Sequence, residues 1–128
     1  MKVLETLNNK KIGVYLRKES GDENITTGYG RLQWLKYELE DYKGDKKFFI
    51  DEPNDNTNLL SILDAIRIGE LEAIIIWTLS DINLDMINSF FVTCFMNEIP
   101  VISFYEGVKK LNILSMYTLN NFQLLDRK

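Results

Sequence analysis

The sequence predicts a single three-layer α/β domain, in which helices flank a mostly parallel sheet of four to five strands. Short apolar runs rich in β-forming residues alternate along the chain with segments whose apolar residues recur at helical spacing. The chain has 128 residues, 45% of them hydrophobic, which suffices for one domain with one core. An alternating order of strands and helices favours parallel strands joined by right-handed crossovers.

The first half of the chain predicts two strand–helix units. The run 11–17 is the first strand, and a polar stretch follows it as far as Gly30. The first helix is predicted to end at Gly44, a residue type typical of helix C-termini. The run 47–51 is the second strand, and polar residues at 52–57 supply caps for the second helix. The helical stripes are Leu32, Leu35, Leu39 and Tyr42 in the first helix, and Leu59, Leu60, Leu63 and Ile66 in the second.

The second half repeats this pattern. Gly69 is predicted to end the second helix, and the unbroken apolar run 73–77 is typical of a strand buried on both faces of a parallel sheet. A third helix follows, and Pro100 marks the turn into a fourth strand at 101–105. The stripe of the third helix is Ile87, Phe90, Phe91, Cys94 and Phe95.

The chain closes with an amphipathic segment, predicted as a helix at 112–125. It is apolar on more than one side, so one stripe of apolar residues can pack on the sheet, and the remaining apolar residues favour contact with a partner protein. Alternatively, the helix simply covers the core. The candidate interface residues are Ile113, Leu114, Met116, Tyr117, Phe122 and Leu124. The domain is predicted to span 11–128, after an N-terminal extension at 1–10 whose structure the sequence leaves open.

Composition excludes several classes of function. The net charge is −4 and the pI about 4.9. This charge disfavours DNA binding by this chain alone, because affinity for DNA comes largely from lysine and arginine side chains that neutralise its phosphates. With no histidine and one cysteine, a zinc site and an internal disulfide are excluded, and no cofactor is expected. The lack of a signal sequence or a membrane-spanning run, together with the single cysteine, predicts a cytoplasmic protein.

Acidic residues follow several of the predicted strands, where ligands bind in open α/β sheets. If neighbouring, these carboxylates provide oxygen ligands for Mg²⁺, and the alternative function is then a metal-dependent phosphoesterase or nuclease. The other interpretation is that they are solvated loop residues or helix caps. The candidate metal ligands are Asp51, Glu52, Asp81 and Glu106.

Four segments, taken in order, carry a family resemblance. VYLR at 14–17 is similar to a Y-x-R-x-S motif, and FIDE at 49–52 to V-F-x-D-E. LDAIRIGE and AIIIW within 63–77 are similar to a helix that ends in A-I-R-x-G-E and a V-V-V-W strand. IPVIS and EG within 99–107 are similar to a strand and a T-E-G turn. Residues 11–108 thus resemble the N-terminal catalytic domain of serine recombinases, the resolvase and invertase family, and the resemblance implies a resolvase-like fold.

The catalytic positions that the resemblance implies are degenerate. The nucleophilic serine of the family falls at Glu19, and Ser20 is its neighbour. The chain contains no histidine to activate Ser20, and Cys94 lies on an apolar stripe where an inert buried thiol is expected. A residual recombinase that uses Ser20 is therefore a further alternative, which requires the loop to shift by one residue.

The phosphate-binding arginines that the resemblance implies are also mostly replaced. Their positions fall at Asn56, Asp81 and Leu84, and only Arg17 matches. Because arginines offset the charge that builds on the phosphoryl oxygens, we expect no catalysis by the family mechanism.

The sequence therefore predicts a catalytically inactive recombinase-like protein that serves as a protein–protein interaction and regulatory module. The expected partner is a second copy in a homodimer, an active recombinase or a transcription regulator. The Asn-, Lys- and Ile-rich composition suggests a phage or mobile-element origin.

Overall fold

Strands and helices alternate along the chain, as the sequence predicts. The computed structural model describes residues 2–18, 30–105 and 109–110. The helices are α1 (Lys2–Glu5), α2 (Arg31–Glu38), α3 (Thr57–Arg67) and α4 (Leu84–Met96), with a short 3-10 helix at Leu79–Asp81. The strands are β1 (Ile12–Arg17), β2 (Lys46–Asp51), β3 (Ala73–Ile76), β4 (Val101–Ser103) and β5 (Lys109–Lys110).

The described strands form one sheet in the order β2-β1-β3-β4-β5. The first four are parallel, and β5 runs antiparallel to β4, which confirms the predicted mostly parallel sheet. The strand β5 was not predicted from the sequence. From β1 the chain first adds β2 on one side and then returns to add β3 on the other. The carboxyl ends of β1 and β3 are therefore a topological switch point, where ligands bind in open α/β sheets.

Helices cover both faces of this sheet, which confirms the three-layer arrangement. The alternation of side chains along β1 sends Val14 to the face of α1 and α2, and Tyr15 to the face of α3 and α4. In the same way β3 is buried on both faces, with Ile74 and Ile76 on the α3 and α4 side and Ala73 and Ile75 on the other. Burial on both faces explains why the sequence of this strand is apolar at every position.

The N-terminal segment contributes to the core. The helix α1 places Leu4 within the cluster that also contains Leu35 and Leu39, and the turn after it adds Leu7, which is 1% exposed. The sequence left the structure of this segment open. The N-terminal segment covers the α2 face of the sheet near the start of β1.

The first predicted helix is shorter than its apolar stripe. It ends at Glu38, and Leu39 and Tyr42 reach the core from the turns that follow. Gly44 therefore does not end the helix, and that part of the prediction is wrong. A glycine at position 44 is needed for close packing instead, because a Cβ atom there would lie 2.6 Å from the carbonyl oxygen of Asn9.

The second predicted helix end is confirmed. Gly69, with a φ of 81°, directly follows the C-cap of α3, as in the usual left-handed termination. Two residues of the predicted stripes differ: Leu60 and Phe95 lie about half exposed. The buried residues of α3 are Leu59, Ile62, Leu63 and Ile66 among others, so Leu60 is one position away from the buried stripe.

The strand β2 lies at the outer edge of the sheet. Lys46 and Lys47 at its start are exposed. The ammonium groups of Lys36 and Lys47 lie 5.7 and 5.3 Å from the ring centres of Phe48 and Phe49, one on each face of the strand. Cations therefore cover the aromatic part of this edge.

Several predicted features lie outside the described residues. They are the helix at 112–125 with Ile113, Leu114, Met116, Tyr117, Phe122 and Leu124, and the positions Glu19, Ser20 and Glu106. Within the described ranges, no helix is long and apolar enough to cross a membrane.

Candidate functional site

A groove of about 460 Å³ opens at the switch point, beyond the carboxyl ends of β1 and β3. We call it the switch-point groove. It combines cationic, aromatic and hydroxyl side chains, which is typical of a binding site. Its lining residues are Arg17, Lys18, Arg31, Pro53, Trp77, Thr78, Ser80, Asp81 and Tyr105.

Arg17, the one arginine that the resemblance to serine recombinases matches, ends β1 and is 6% exposed. Its Nε donates to the backbone carbonyl of Asp81 over 2.9 Å. Its other nitrogens donate to the loop between β2 and α3: Nη1 to the carbonyls of Glu52 (3.0 Å), Pro53 (3.3 Å) and Asp55 (2.6 Å), and Nη2 to the side-chain oxygen of Asn56. All three guanidinium nitrogens therefore bind internal oxygens.

Asn56 has a structural role in the same network. Its side-chain oxygen accepts from Arg17 and, over 3.0 Å, from the amide nitrogen of Asn83 just before α4. Arg17 and Asn56 together thus join β1, the β2–α3 loop and the segment before α4. The sequence indicated the identities of these two residues but not their contact.

Arg31 is a site residue that was not predicted from the sequence. Its Nη2 donates to the carbonyl of Arg17 over 2.7 Å, and its Nη1 lies 3.6 Å from Oδ1 of Asp81. A cation in the first turn of a helix is disfavoured by the helix dipole. That position, directly after Gly30, is the sequence signal that could have marked Arg31 for a tertiary contact.

Asp51, a candidate metal ligand, caps helix α3. Its Oδ1 accepts from the backbone N–H of Asn58 over 2.8 Å, and its Oδ2 accepts from the N–H of Leu59 over 3.0 Å and the hydroxyl of Tyr15 over 2.7 Å. It is 1% exposed. Burial, and then the hydrogen bond to Asp51, raise the pKa of Tyr15. This carboxylate therefore satisfies two of the open N–H groups at the start of α3.

The other candidate ligands have separate partners. Glu52 forms a surface ion pair with Lys18 over 2.9 Å, and Asp81 faces Arg31. In the ranges 2–18, 30–105 and 109–110, no three His, Cys, Asp or Glu side chains are grouped so as to hold a metal ion. Glu106 lies outside these ranges.

Asp55, for which a capping role is predicted, stabilises the turn before α3. Its Oδ1 accepts from the hydroxyl of Thr57 over 2.6 Å and from its N–H over 3.0 Å. These bonds, the hydroxyl first, lower the pKa of Asp55. The sequence thus placed a helix-capping acid in this loop but missed that Asp51 caps the helix too.

Aromatic side chains form the other part of the groove. Trp77 follows β3, and its ring meets that of Trp34 edge to face, with 5.2 Å between the ring centres. Trp34 also contacts Phe104 in the same geometry at 6.1 Å. Tyr105 is 74% exposed at the groove. These aromatic residues were not predicted as site residues, because each adjoins an apolar strand or helix and its sequence context is typical of core residues.

The two remaining sequence candidates lie away from the groove lining. Leu84 begins α4 and is 86% exposed, so it adds no charge or hydrogen-bond donor to the site. Cys94 is fully buried, and this burial raises the pKa of its thiol to about 12. The thiol is therefore protonated and enclosed, as the apolar stripe predicts.

Comparison with known proteins adds no relative. No protein-family model matches the chain, and no curated protein matches it. A functional assignment therefore depends on the residues and their geometry.

Proposed function

We propose that this chain is a catalytically inactive recombinase-like protein that acts as a protein–protein interaction and regulatory module in the cytoplasm, encoded by a phage or mobile element. The observation that carries the proposal is the set of bonds made by Arg17. A recombinase arginine must donate to the scissile phosphate, whereas every guanidinium nitrogen of Arg17 donates to an internal oxygen.

The charges around Arg17 support the same conclusion. The carboxylate of Asp81 lines the groove where the resemblance implies an arginine, and a negative charge there opposes a phosphate. Loss of one donor of this kind costs about 2.7–4 kcal/mol of transition-state stabilisation. Leu84 and Asn56 stand at the two other arginine positions and supply no cation.

The surface of α4 supports a protein partner. Val92, Phe95 and Met96 lie one helical turn apart or less, and all are exposed, Met96 by 71%. Adjacent exposed apolar side chains are typical of protein-binding surfaces. The proposed partner is a second copy, an active recombinase or a transcription regulator.

The catalytic part of the proposal is tested by trapping. The full chain is incubated with intact and nicked duplex DNA and then denatured, and covalent protein–DNA species are sought on gels. We expect none. An adduct that Ser20→Ala abolishes would establish residual recombinase activity and overturn the proposal.

The interaction part is tested by light scattering coupled to size exclusion over a concentration series. If the partner is a second copy, Met96→Asp should dissociate the dimer. Leu60→Asp is the matched control and should not, because Leu60 is also an exposed apolar residue but lies on α3 and not on the surface of α4. A chain that is monomeric throughout and also binds neither a recombinase nor a regulator from its host would contradict this part.

A further inference from the structure

The outer side of β2 carries main-chain groups without a partner strand. Among the described strands, β2 is the first in the sheet order and has a neighbour, β1, on one side only. The carbonyl of Asp45 accepts from the N–H of Ile12 over 2.9 Å, so Asp45 and every second residue after it face β1. The N–H and C=O groups of Lys46 and Phe48 therefore point away from the sheet. We call these four groups the unpaired edge.

The unpaired edge is bounded at the end of the strand. The next residue that points outward is Ile50, and its carbonyl oxygen accepts from the side-chain nitrogen of Asn58 over 2.7 Å. A strand that docks on β2 therefore finds its hydrogen-bond partners at Lys46 and Phe48, near the start of the strand.

Three cations surround the unpaired edge. Lys46 and Lys47 are exposed, and the exposed Lys36 lies over the ring of Phe48, with 5.7 Å from its ammonium group to the ring centre. Side chains alternate along the strand, so Lys36 and Lys46 lie on the α2 face and Lys47 on the α3 face. In the part of the chain that the structure describes, none of these lysines forms an ion pair.

We propose that the unpaired edge binds an extended segment of a partner protein, in which acidic residues flank a short apolar run, as an added strand of the sheet. Its main chain pairs with Lys46 and Phe48, and its carboxylates contact the three lysines. This inference deepens the proposed function: it rests on the chain being a protein-interaction module and adds a surface separate from α4, with a defined partner chemistry.

The local charge at this edge is positive, although the whole chain has a net charge of −4. Charges are screened beyond about 8 Å at physiological ionic strength, so the nearest groups dominate. Asp51 at the end of β2 is 1% exposed and binds the N–H groups of α3. Asp45 is exposed before the strand but is followed by two exposed lysines. Short-range electrostatics therefore favour an acidic partner segment.

A second copy of the chain is a less suitable occupant. If two copies used the unpaired edge in antiparallel register, Lys46 of one would pair with Phe48 of the other, and the two Lys47 residues would lie directly opposite each other. Like charges in that position are destabilising. A register centred on Phe48 requires the carbonyl of Ile50, which Asn58 already occupies.

A single-stranded nucleic acid also fits this edge less well. Its bases need open aromatic rings for stacking, whereas Phe49 is 6% exposed and Phe48 is half-buried beneath Lys36. Phosphates are acceptors only, so they leave the carbonyl groups of the unpaired edge without donors. A peptide main chain supplies both donors and acceptors at the spacing of a strand.

The test uses fluorescence anisotropy of a labelled peptide, blocked at both ends, with three valines between two glutamates on each side. Its symmetrical composition suits parallel and antiparallel pairing alike. We expect saturable binding to the full chain, and none by a peptide in which lysine replaces each glutamate. N-methylation of two adjacent valines keeps the charge but removes a main-chain donor in either register, so it should weaken binding about tenfold or more.

Amide hydrogen exchange, measured by NMR for each residue, locates the added strand. We expect the peptide to slow exchange at Lys46 and Phe48, whose N–H groups are unpaired. Lys47 and Phe49 are internal controls in the same strand, because their N–H groups face β1 and should exchange slowly with or without the peptide.

Matched variants test the lysines. Lys36→Gln and Lys47→Gln should each weaken binding of the acidic peptide about two- to fivefold, because an exposed ion pair contributes little. Arg67→Gln removes the same charge from an exposed residue that contacts Thr93 of α4 and not β2, and it should leave binding unchanged.

Four outcomes would overturn this inference. They are no binding of the acidic peptide at millimolar concentration, equal binding of its N-methylated form, binding of a single-stranded oligonucleotide in its place, and protection of the two outward amides by raised protein concentration alone. The third would assign the edge to nucleic acid, and the fourth to a second copy. The DNA-trapping result and the light-scattering comparison at α4 decide the proposed function separately, so failure at β2 is distinguishable from failure of that function.

Discussion

Replacement of Arg17 by methionine separates a structural role from a catalytic one. The substitution keeps an apolar stem and removes three donor nitrogens that bind internal oxygens. A hydrogen bond from a charged group contributes about 1.5–3 kcal/mol. Since the acceptors in the β2–α3 loop are partly buried and will find water, we take the lower end for each nitrogen. The expected loss of unfolding free energy is about 3–5 kcal/mol.

The measurement is urea unfolding followed by far-UV circular dichroism. The control is Arg67→Met, because Arg67 is 53% exposed, pairs with Asp64 three residues earlier and donates one long hydrogen bond, of 3.3 Å, to the hydroxyl of Thr93. An exposed ion pair contributes about 0–1 kcal/mol and a neutral-acceptor hydrogen bond about 0.5–1.5 kcal/mol, so the control should lose clearly less stability than Arg17→Met. Equal small losses in the two variants would refute our reasoning, because they would mean that Arg17 is free to bind a substrate phosphate.

Three further predictions concern the core and the capping network. Tyr15→Phe removes the hydroxyl that donates to Asp51, and we expect the unfolding free energy measured in urea to fall by about 1–2 kcal/mol; an unchanged midpoint would contradict the network. Burial raises the pKa of Cys94 to about 12, so Ellman's reagent should label the thiol in urea but not in the native protein, and rapid native labelling would be contrary to this burial. The Thr57 hydroxyl lowers the pKa of Asp55 below its ordinary 3.8, so its stabilising effect is present above that pH and is lost as the pH falls through the folded value. The stability difference between the wild type and Asp55→Asn, from urea midpoints, should therefore shrink from neutral to acidic pH; a constant difference would oppose this assignment.

The fold was predictable where burial leaves a periodic pattern. The run from Ala73 to Ile76 is apolar at every position because both faces of β3 are covered, and the stripe of α3 follows from one buried face. The end of α2 was not predictable in this way. Leu39 and Tyr42 continue the helical spacing, yet they reach the core from turns, and periodicity does not distinguish these two cases.

The candidate site was predictable in position but not in its bonding. The strand-end rule placed Arg17, Asp51 and Asp81 at the same edge of the sheet, and the structure puts them there. The path of the β2–α3 loop determines which oxygen accepts a hydrogen bond from each donor. The sequence of this loop has no periodic pattern from which that path could be predicted. Asp51 illustrates this: from the sequence it is a candidate metal ligand, and in the fold it caps a helix.

The covered edge of the sheet has a consequence for the behaviour of the protein at high concentration. The segment Lys46–Asp51 contains two adjacent phenylalanines on an edge strand, a composition that favours intermolecular β-pairing and fibrils. Lys46 and Lys47 are exposed at its start, and lysines beside an apolar strand oppose such growth by charge repulsion. Replacement of these lysines by uncharged residues should therefore increase aggregation at high protein concentration, with a smaller effect on the free energy of unfolding.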